Sequence, residues 1–366
     1  MPQKVTVPFT CAMPQCRRFA IVGLFWALLS TVVLAQDFHY SQFYNAPMHL
    51  NPALTGLFGG DARLTANYKS QWPSVPVEYN TFTVAYDRKF YSKRPRASIW
   101  SGGVALNYDR SGDSKLTWAD IDLNASYTRY LSDRFYLTVG GQAGIVNRTF
   151  REDNLRFDNQ FNQEIGAYDP SLGSGEVFAG EGRTFLDFAV GINLRFQTRN
   201  ANALVDELNK RTKLDVGIAL HHLTRPDQSF FDSDKVPIEQ RVSPYAMLTL
   251  QVSKPVDIVA NVTYQTQGPA YEELVGMAAV RFYLNRRPGR QWSFLAGAGL
   301  RRNVIQDAWW PTIEIGLNDL RVGINYDFNV SRFDIATENR GGWELSMRYL
   351  FRSARPLPGF RTCPLI

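Results

Sequence analysis

The clearest pattern in the chain runs from Gly342 to Arg352. Trp343, Leu345, Met347, Tyr349 and Phe351 fall on one side of a strict alternation, and Glu344, Ser346, Arg348 and Arg352 fall on the other, with Leu350 the one interruption. A strand turns successive side chains to opposite faces, so this segment has an aromatic, apolar face backed by a polar one. In a soluble sandwich the apolar face meets another sheet. In a membrane barrel it meets lipid while the polar face lines the lumen.

The pattern recurs along the chain. About fourteen segments share it: 63–72, 77–90, 99–108, 116–131, 134–147, 183–198, 213–222, 244–252, 256–267, 272–284, 291–301, 312–318, 320–330 and 342–352. In the fourth, Ile121, Leu123 and Ala125 oppose Asp120, Asp122, Asn124 and Ser126. If the first strand rises from the periplasm, every second connection is an inner turn. These are short at 132–133, 253–255, 285–290 and 318–319, moderate at 91–98, and longer at 199–212, where 203–208 has the composition of one or two helical turns. The alternate set holds the long segments 149–182 and 223–243. Short inside and long outside is the habit of outer-membrane barrels, which have even strand numbers in single bacterial chains. The expected fold is therefore all-β: a transmembrane antiparallel β-barrel of the bacterial outer membrane.

Arg17 and Arg18 precede an apolar run over 19–34, and Val33-Leu34-Ala35 offers a cut before Gln36. This reads as a cleavable export signal over 1–35; an uncleaved anchor is the competing reading. Cleavage removes Lys4, Arg17 and Arg18 and no acid, so the formal charge falls from +6 to +3. That modest excess, in an exported chain, argues against nucleic acid as a partner. Cys11 and Cys16 leave with the signal and Cys363 stays alone, which excludes an intramolecular disulfide and a cysteine zinc site. Basic residues gather on the inner turns (Lys93, Arg94, Arg96, Arg199, Lys210, Arg211, Arg286, Arg287, Arg290) and on the tail (Arg352, Arg355, Arg361). They read either as solvated loop charge or as a basic periplasmic rim for an acidic partner or cell-wall polymer.

Two segments outside the strands are more specific. The mature start, 36–56, reads QDFHYSQFYNAPMHLNPALTG, and His222-Leu223-Thr224-Arg225-Pro226-Asp227-Gln228-Ser229-Phe230-Phe231 follows far downstream. The first resembles the opening of the PorP/SprF family of type IX secretion system membrane proteins, where Ser-Gln-Phe-Tyr leads to Asn-Pro-Ala and then Gly. The second resembles that family's His-x-x-x-Pro-x-x-Ser-Phe stretch. Gly341-Gly342-Trp343-Glu344-Leu345 and Cys363-Pro364 are similar too, so the resemblance spans 36–364. The ending Pro364-Leu365-Ile366 departs from the expected Arg-Phe after Cys-Pro.

The residues themselves suggest how these segments work. Two prolines and irregularly spaced aromatics disfavour regular pairing over 36–60. The segment suits a lumen plug in which Tyr40, Phe43 and Tyr44 pack on the walls and Asn45, Asn51 and Pro52 satisfy or fit them; a loose periplasmic leader is the alternative. Pro226, Ser229, Phe230 and Phe231 are candidate partner-binding residues if exposed, and local packing if not.

Catalysis finds little support. His221 and His222 adjoin and so are expected on opposite strand faces, unable to share a metal without a bulge. No Gly-x-Ser-x-Gly elbow is present. Asp153, Asp158, Glu164 and Asp169 lack the spacing of a calcium loop. Neither cofactor nor metal is expected.

The resulting organisation is signal 1–35, plug-like segment 36–60, barrel 61–352 and periplasmic tail 353–366. The resemblance implies a non-enzymatic component of the type IX secretion or gliding apparatus that anchors or helps deliver secreted adhesins. Implied partners are the C-terminal domain of an adhesin or other type IX cargo, periplasmic and outer-membrane secretion components, peptidoglycan-linked proteins and the lipid bilayer. A transporter of small apolar molecules is the alternative for a plugged barrel of this strand count.

Overall fold

The computed structural model describes residues 37–71, 79–90, 98–112, 114–152, 155–178, 180–198, 210–231, 235–269, 271–287, 289–303, 308–330 and 340–352. The expected signal, the tail with Cys363, the helical turns expected at 203–208 and the basic residues Lys93, Arg94, Arg96 and Arg199 lie outside the described residues.

Fourteen strands close into one antiparallel barrel. They are β1 (Ala62–Gln71), β2 (Tyr79–Phe90), β3 (Ser98–Ser111), β4 (Leu116–Tyr130), β5 (Phe135–Thr149), β8 (Gly182–Gln197), β9 (Lys213–His221), β10 (Arg241–Gln251), β11 (Val256–Gln267), β12 (Tyr271–Asn285), β13 (Trp292–Asn303), β14 (Ala308–Leu317), β15 (Leu320–Asn329) and β16 (Arg340–Phe351). Each pairs with its sequence neighbours, and β1 pairs with β16 from Ala62↔Phe351 to Gln71↔Gly342. A small hairpin of β6 (Phe161–Asn162) and β7 (Ala167–Tyr168) sits in the long β5–β8 connection. Closure leaves no sheet edge, so every strand satisfies its backbone in the sheet, as a hydrocarbon environment requires.

The alternation predicted for single strands becomes a sidedness of the whole barrel. Outward positions carry exposed Leu123, Leu300, Ile313 and Leu345, while inward positions carry buried Arg63, Thr65, Asn67 and Lys69 on β1 alone. Aromatic residues border the apolar band at both ends. Trp100 lies 4.8 Å from Tyr127 and Phe135 lies 5.2 Å from Phe196 at the end where β1 begins and β16 ends. Tyr68 lies 4.9 Å from Trp343 and Trp309 lies 4.7 Å from Phe328 at the other end. Two such girdles mark membrane–water interfaces. Among the described residues no helix is long and apolar enough to cross a membrane.

Two details differ from the sequence reading. Strand β14 begins at Ala308, four residues before the alternation from Thr312 announces it. Pro311 hides the first half, because it lacks an N–H; the ladder to β15 skips from Trp309 to Thr312 and the strand tolerates the proline there. His221 and His222 do not divide between the two faces. β9 ends at His221 and His222 adopts a left-handed backbone (φ 56°), which turns both imidazoles into the interior.

Candidate functional site

Residues 37–60 lie inside the barrel, and their polar groups meet inward-facing side chains from one end of the lumen to the other. At the end with the long loops, Asp37 sits between His222 and Arg241, 2.7 and 3.2 Å away, and Gln267 donates to its carboxylate at 3.2 Å. At the opposite end the Phe58 carbonyl accepts from Lys89, and Asp61 N–H donates to the Phe351 carbonyl at 2.8 Å.

Between these ends the segment is bonded across the full width of the barrel. The Glu344 carboxylate on β16 accepts the backbone N–H of Ser41 on one oxygen and of Gln42 on the other, both at 2.8 Å. Ser41 Oγ donates to Asp327, which is also held by Arg301 at 2.8 Å. Tyr40 hydroxyl meets Thr83 Oγ1 at 2.7 Å. Asn45 donates to Ser346 Oγ at 2.9 Å and its carbonyl accepts from Asn67. Each such bond contributes about 0.5–1.5 kcal/mol net, and more where a carboxylate is involved.

Asn51 and Pro52 work as a pair. Asn51 caps the short turn Pro52–Leu54, its Oδ1 accepting from Ala53 N–H at 2.7 Å, while proline suits the first helical position, where no donor is needed. The other end of the Asn51 amide donates to the Ile192 and Ile218 carbonyls at 3.2 and 3.1 Å. The wall makes room with glycine. A Cβ on Gly191 would overlap the Asn51 carboxamide, and one on Gly140 would overlap the Pro52–Ala53 backbone. Phe43 joins Leu50, Leu54, Leu57, Tyr245, Val275 and Trp310 in the lumenal core, and Tyr44 bridges it to Val259, Met277, Ala279 and Leu295.

The electrostatics of the upper lock follow from its burial. Burial pulls the His222 imidazole down, but Asp37 and Asp187 flank it at 2.7 and 2.9 Å and carry it up to about 9. Burial pushes the Asp37 carboxyl up, and His222 and Arg241 outweigh that and hold it well below the usual carboxylate range. The lock is an ion pair at neutral pH. His49, stacked on Phe38 at 4.4 Å, is driven down to about 3 by burial and by Arg241 and stays neutral.

The Pro226–Phe231 stretch is built into this lock rather than standing free. Asp227 Oδ1 accepts from Ser229 and Val236 N–H groups, and buried Ser229 Oγ accepts from Phe231 N–H. Pro226 supplies its carbonyl to Ile238 N–H at 2.9 Å. Phe230 packs on Phe150 at 4.5 Å, and Phe231 on Phe178 at 5.1 Å, so the 150–181 and 222–240 connections share one aromatic cluster. The Arg183–Asp227 bridge at 2.6 Å fastens the second of these connections to the start of β8. The most exposed apolar side chains of this cap are others, which lacked any motif: Val177 (84 % exposed), Ile165 (64 %) and Phe161 (54 %). Among the described residues no group of three or more His, Cys, Asp or Glu side chains is placed to hold a metal.

Fold and site together define a class: a membrane-spanning fourteen-stranded barrel with its own N-terminal segment bonded into the lumen. The model of the type IX secretion system membrane protein PorP/SprF family matches residues 32–349, and the chain belongs to that family. It is thus an outer-membrane barrel of a secretion-system family, as its lipid-facing band requires. No curated protein matches the chain. Among solved structures it is similar to the CymD monoaromatic hydrocarbon channel (10 % identity, 85 % of this chain and 94 % of that one, TM-score 0.47). It is also similar to the P. putida toluene transporter TodX (10 %, 85 % and 95 %, 0.45) and to a Pseudomonas aeruginosa FadL homologue (13 %, 82 % and 93 %, 0.44).

Proposed function

We propose that this protein is a non-enzymatic anchor of the type IX apparatus: it holds or helps deliver secreted surface proteins outside and links to secretion machinery in the periplasm. The observation that carries this reading is the lumenal segment, bonded to strands on opposite walls and at both ends. Such a filling makes the barrel a rigid scaffold with two working ends rather than a path. The cap of the long loops, braced by the Phe150–Phe178–Phe230–Phe231 cluster, offers Phe161, Ile165 and Val177 to an apolar cargo surface. Adhesin C-terminal domains are the cargo we assign to it, with peptidoglycan-linked components on the periplasmic side.

The test is co-purification from a detergent-solubilised outer membrane. Recovery of secretion components or of an adhesin is expected, with loss of the adhesin when 155–178 is deleted. Recovery of neither sinks the proposal. The competing reading, a transporter of small apolar molecules, has one feature in its favour. A shallow depression of about 410 Å³ on β4, β5 and β8 is lined by Leu123, Ala125, Ala143, Phe188, Val190 and Leu223. It predicts uptake of an aromatic hydrocarbon into liposomes bearing the protein.

A further inference from the structure

Most lumenal charges are matched locally: Arg63 with Asp87, Arg195 with Asp215, Arg211 with Asp257 and Arg301 with Asp327, all at 2.7–2.8 Å. Cations outnumber acids in one cluster, near the end where β1 begins and β16 ends. Arg321 on β15 and Arg348 on β16 are register partners and both turn inward. Like charges directly opposed across a sheet destabilise it. Arg281 on β12 reaches the same region, and one carboxylate serves the group: Glu314 holds Arg281 at 2.8 Å and lies 3.5 Å from Arg321.

The Arg348 side chain makes no hydrogen bond or ion pair among the described residues, nor is it one of those with a partner elsewhere. It feels Arg321, Arg281 and Arg63 as well as Glu314. Lys213, on the far wall, feels both Arg321 and Arg348. Four cations thus gather around Glu314, and the other acids they feel, Asp257 beside Arg281 and Asp215 beside Lys213, are already held by Arg211 and Arg195. Exposure grades from the buried Arg281 side chain (8 %) through Arg321 (27 %) to exposed Lys213, so the group opens to solvent at this end.

We propose that Arg348, with Arg321, Arg281 and Lys213, forms a vestibule that receives an acidic peptide segment of a periplasmic partner. Guanidinium forks match carboxylates in two-pronged bonds. The cations are spread across the lumen instead of converging on a point, which fits several spaced carboxylates better than one compact anion. Entry through a barrel mouth admits an extended segment and excludes a membrane surface. The inference rests on the periplasmic half of the proposed function and names its chemistry.

The test uses the full mature protein in detergent and a fluorescein-labelled hexa-aspartate peptide followed by anisotropy. Saturable binding is expected that weakens with salt and falls about tenfold in Arg348→Gln, equivalent to about 1.4 kcal/mol. Arg348→Lys should keep most of the affinity, and Arg225→Gln at the other end should keep all of it. Removing a repelled charge leaves the barrel at least as stable, which the unfolding midpoint checks; Arg321→Gln provides a second variant with the same expected loss. Unchanged affinity in Arg348→Gln and Arg321→Gln overturns the proposal. So does displacement of the peptide by inorganic phosphate at equal concentration, which marks a compact-anion site. No cargo or secretion component enters the assay, so its outcome is separate from that of co-purification.

Discussion

His222 Nε2 lies 2.7 Å from the Asp37 carboxylate, joining the loop motif at one end of the barrel to the first described residue of the lumenal segment. Two stretches that look independent in the chain are one device. The motif histidine holds the segment in, and the residues that follow it fold the cap above.

The lock should be pH-dependent. His222 is raised to about 9 from an unfolded value near 6.5, so its stabilisation is complete below about pH 6.5 and is lost as pH rises through 9. Asp37 is lowered, so its contribution is present above about pH 4 and lost on further acidification. Thermal unfolding from pH 6 to pH 10 should reveal a fall of about 1–3 kcal/mol that His222→Gln flattens. An unchanged slope in that variant refutes the assignment.

Glu344→Ala should be among the most damaging single changes in the lumen. It orphans the buried N–H groups of Ser41 and Gln42 together, at about 1–3 kcal/mol each. Chemical unfolding in detergent measures it, with Glu152→Ala on the cap as the control expected to change little.

Gly191→Ala should cost about 1–3 kcal/mol, because its Cβ takes the space of the Asn51 carboxamide. Combined with Asn51→Gly the penalty should shrink, and the double-mutant cycle reads the coupling directly. Strict additivity would mean that the two residues do not touch.

Phe230→Ala should loosen the cap without unfolding the barrel. Protease cutting within 155–178 should accelerate at least several-fold while the barrel's unfolding midpoint holds. Val177→Asp should leave cleavage unchanged and weaken cargo capture, which separates bracing residues from contact residues.

The strands were legible because a lipid-facing wall imposes strict two-residue alternation, and thirteen of their starts could be placed closely. Pro311 concealed the start of β14, since a residue without an N–H signals a break when read alone. The motif around Pro226 was visible, but its role was not. Whether Phe230 faces outward depends on Phe150, eighty positions earlier, and the histidine pair misled because one left-handed residue at a strand end defeats the alternation rule.

By itself the sequence determined the closed sheet, its sidedness and the irregular character of residues 36–60, because these follow from local periodicity and backbone chemistry. Only the tertiary structure decided that Glu344 caps Ser41, 303 positions away, and that Arg348 is left unmatched. Charge pairing inside a barrel is set by register and by which walls face each other across the lumen, and neither is written in the order of residues along one strand.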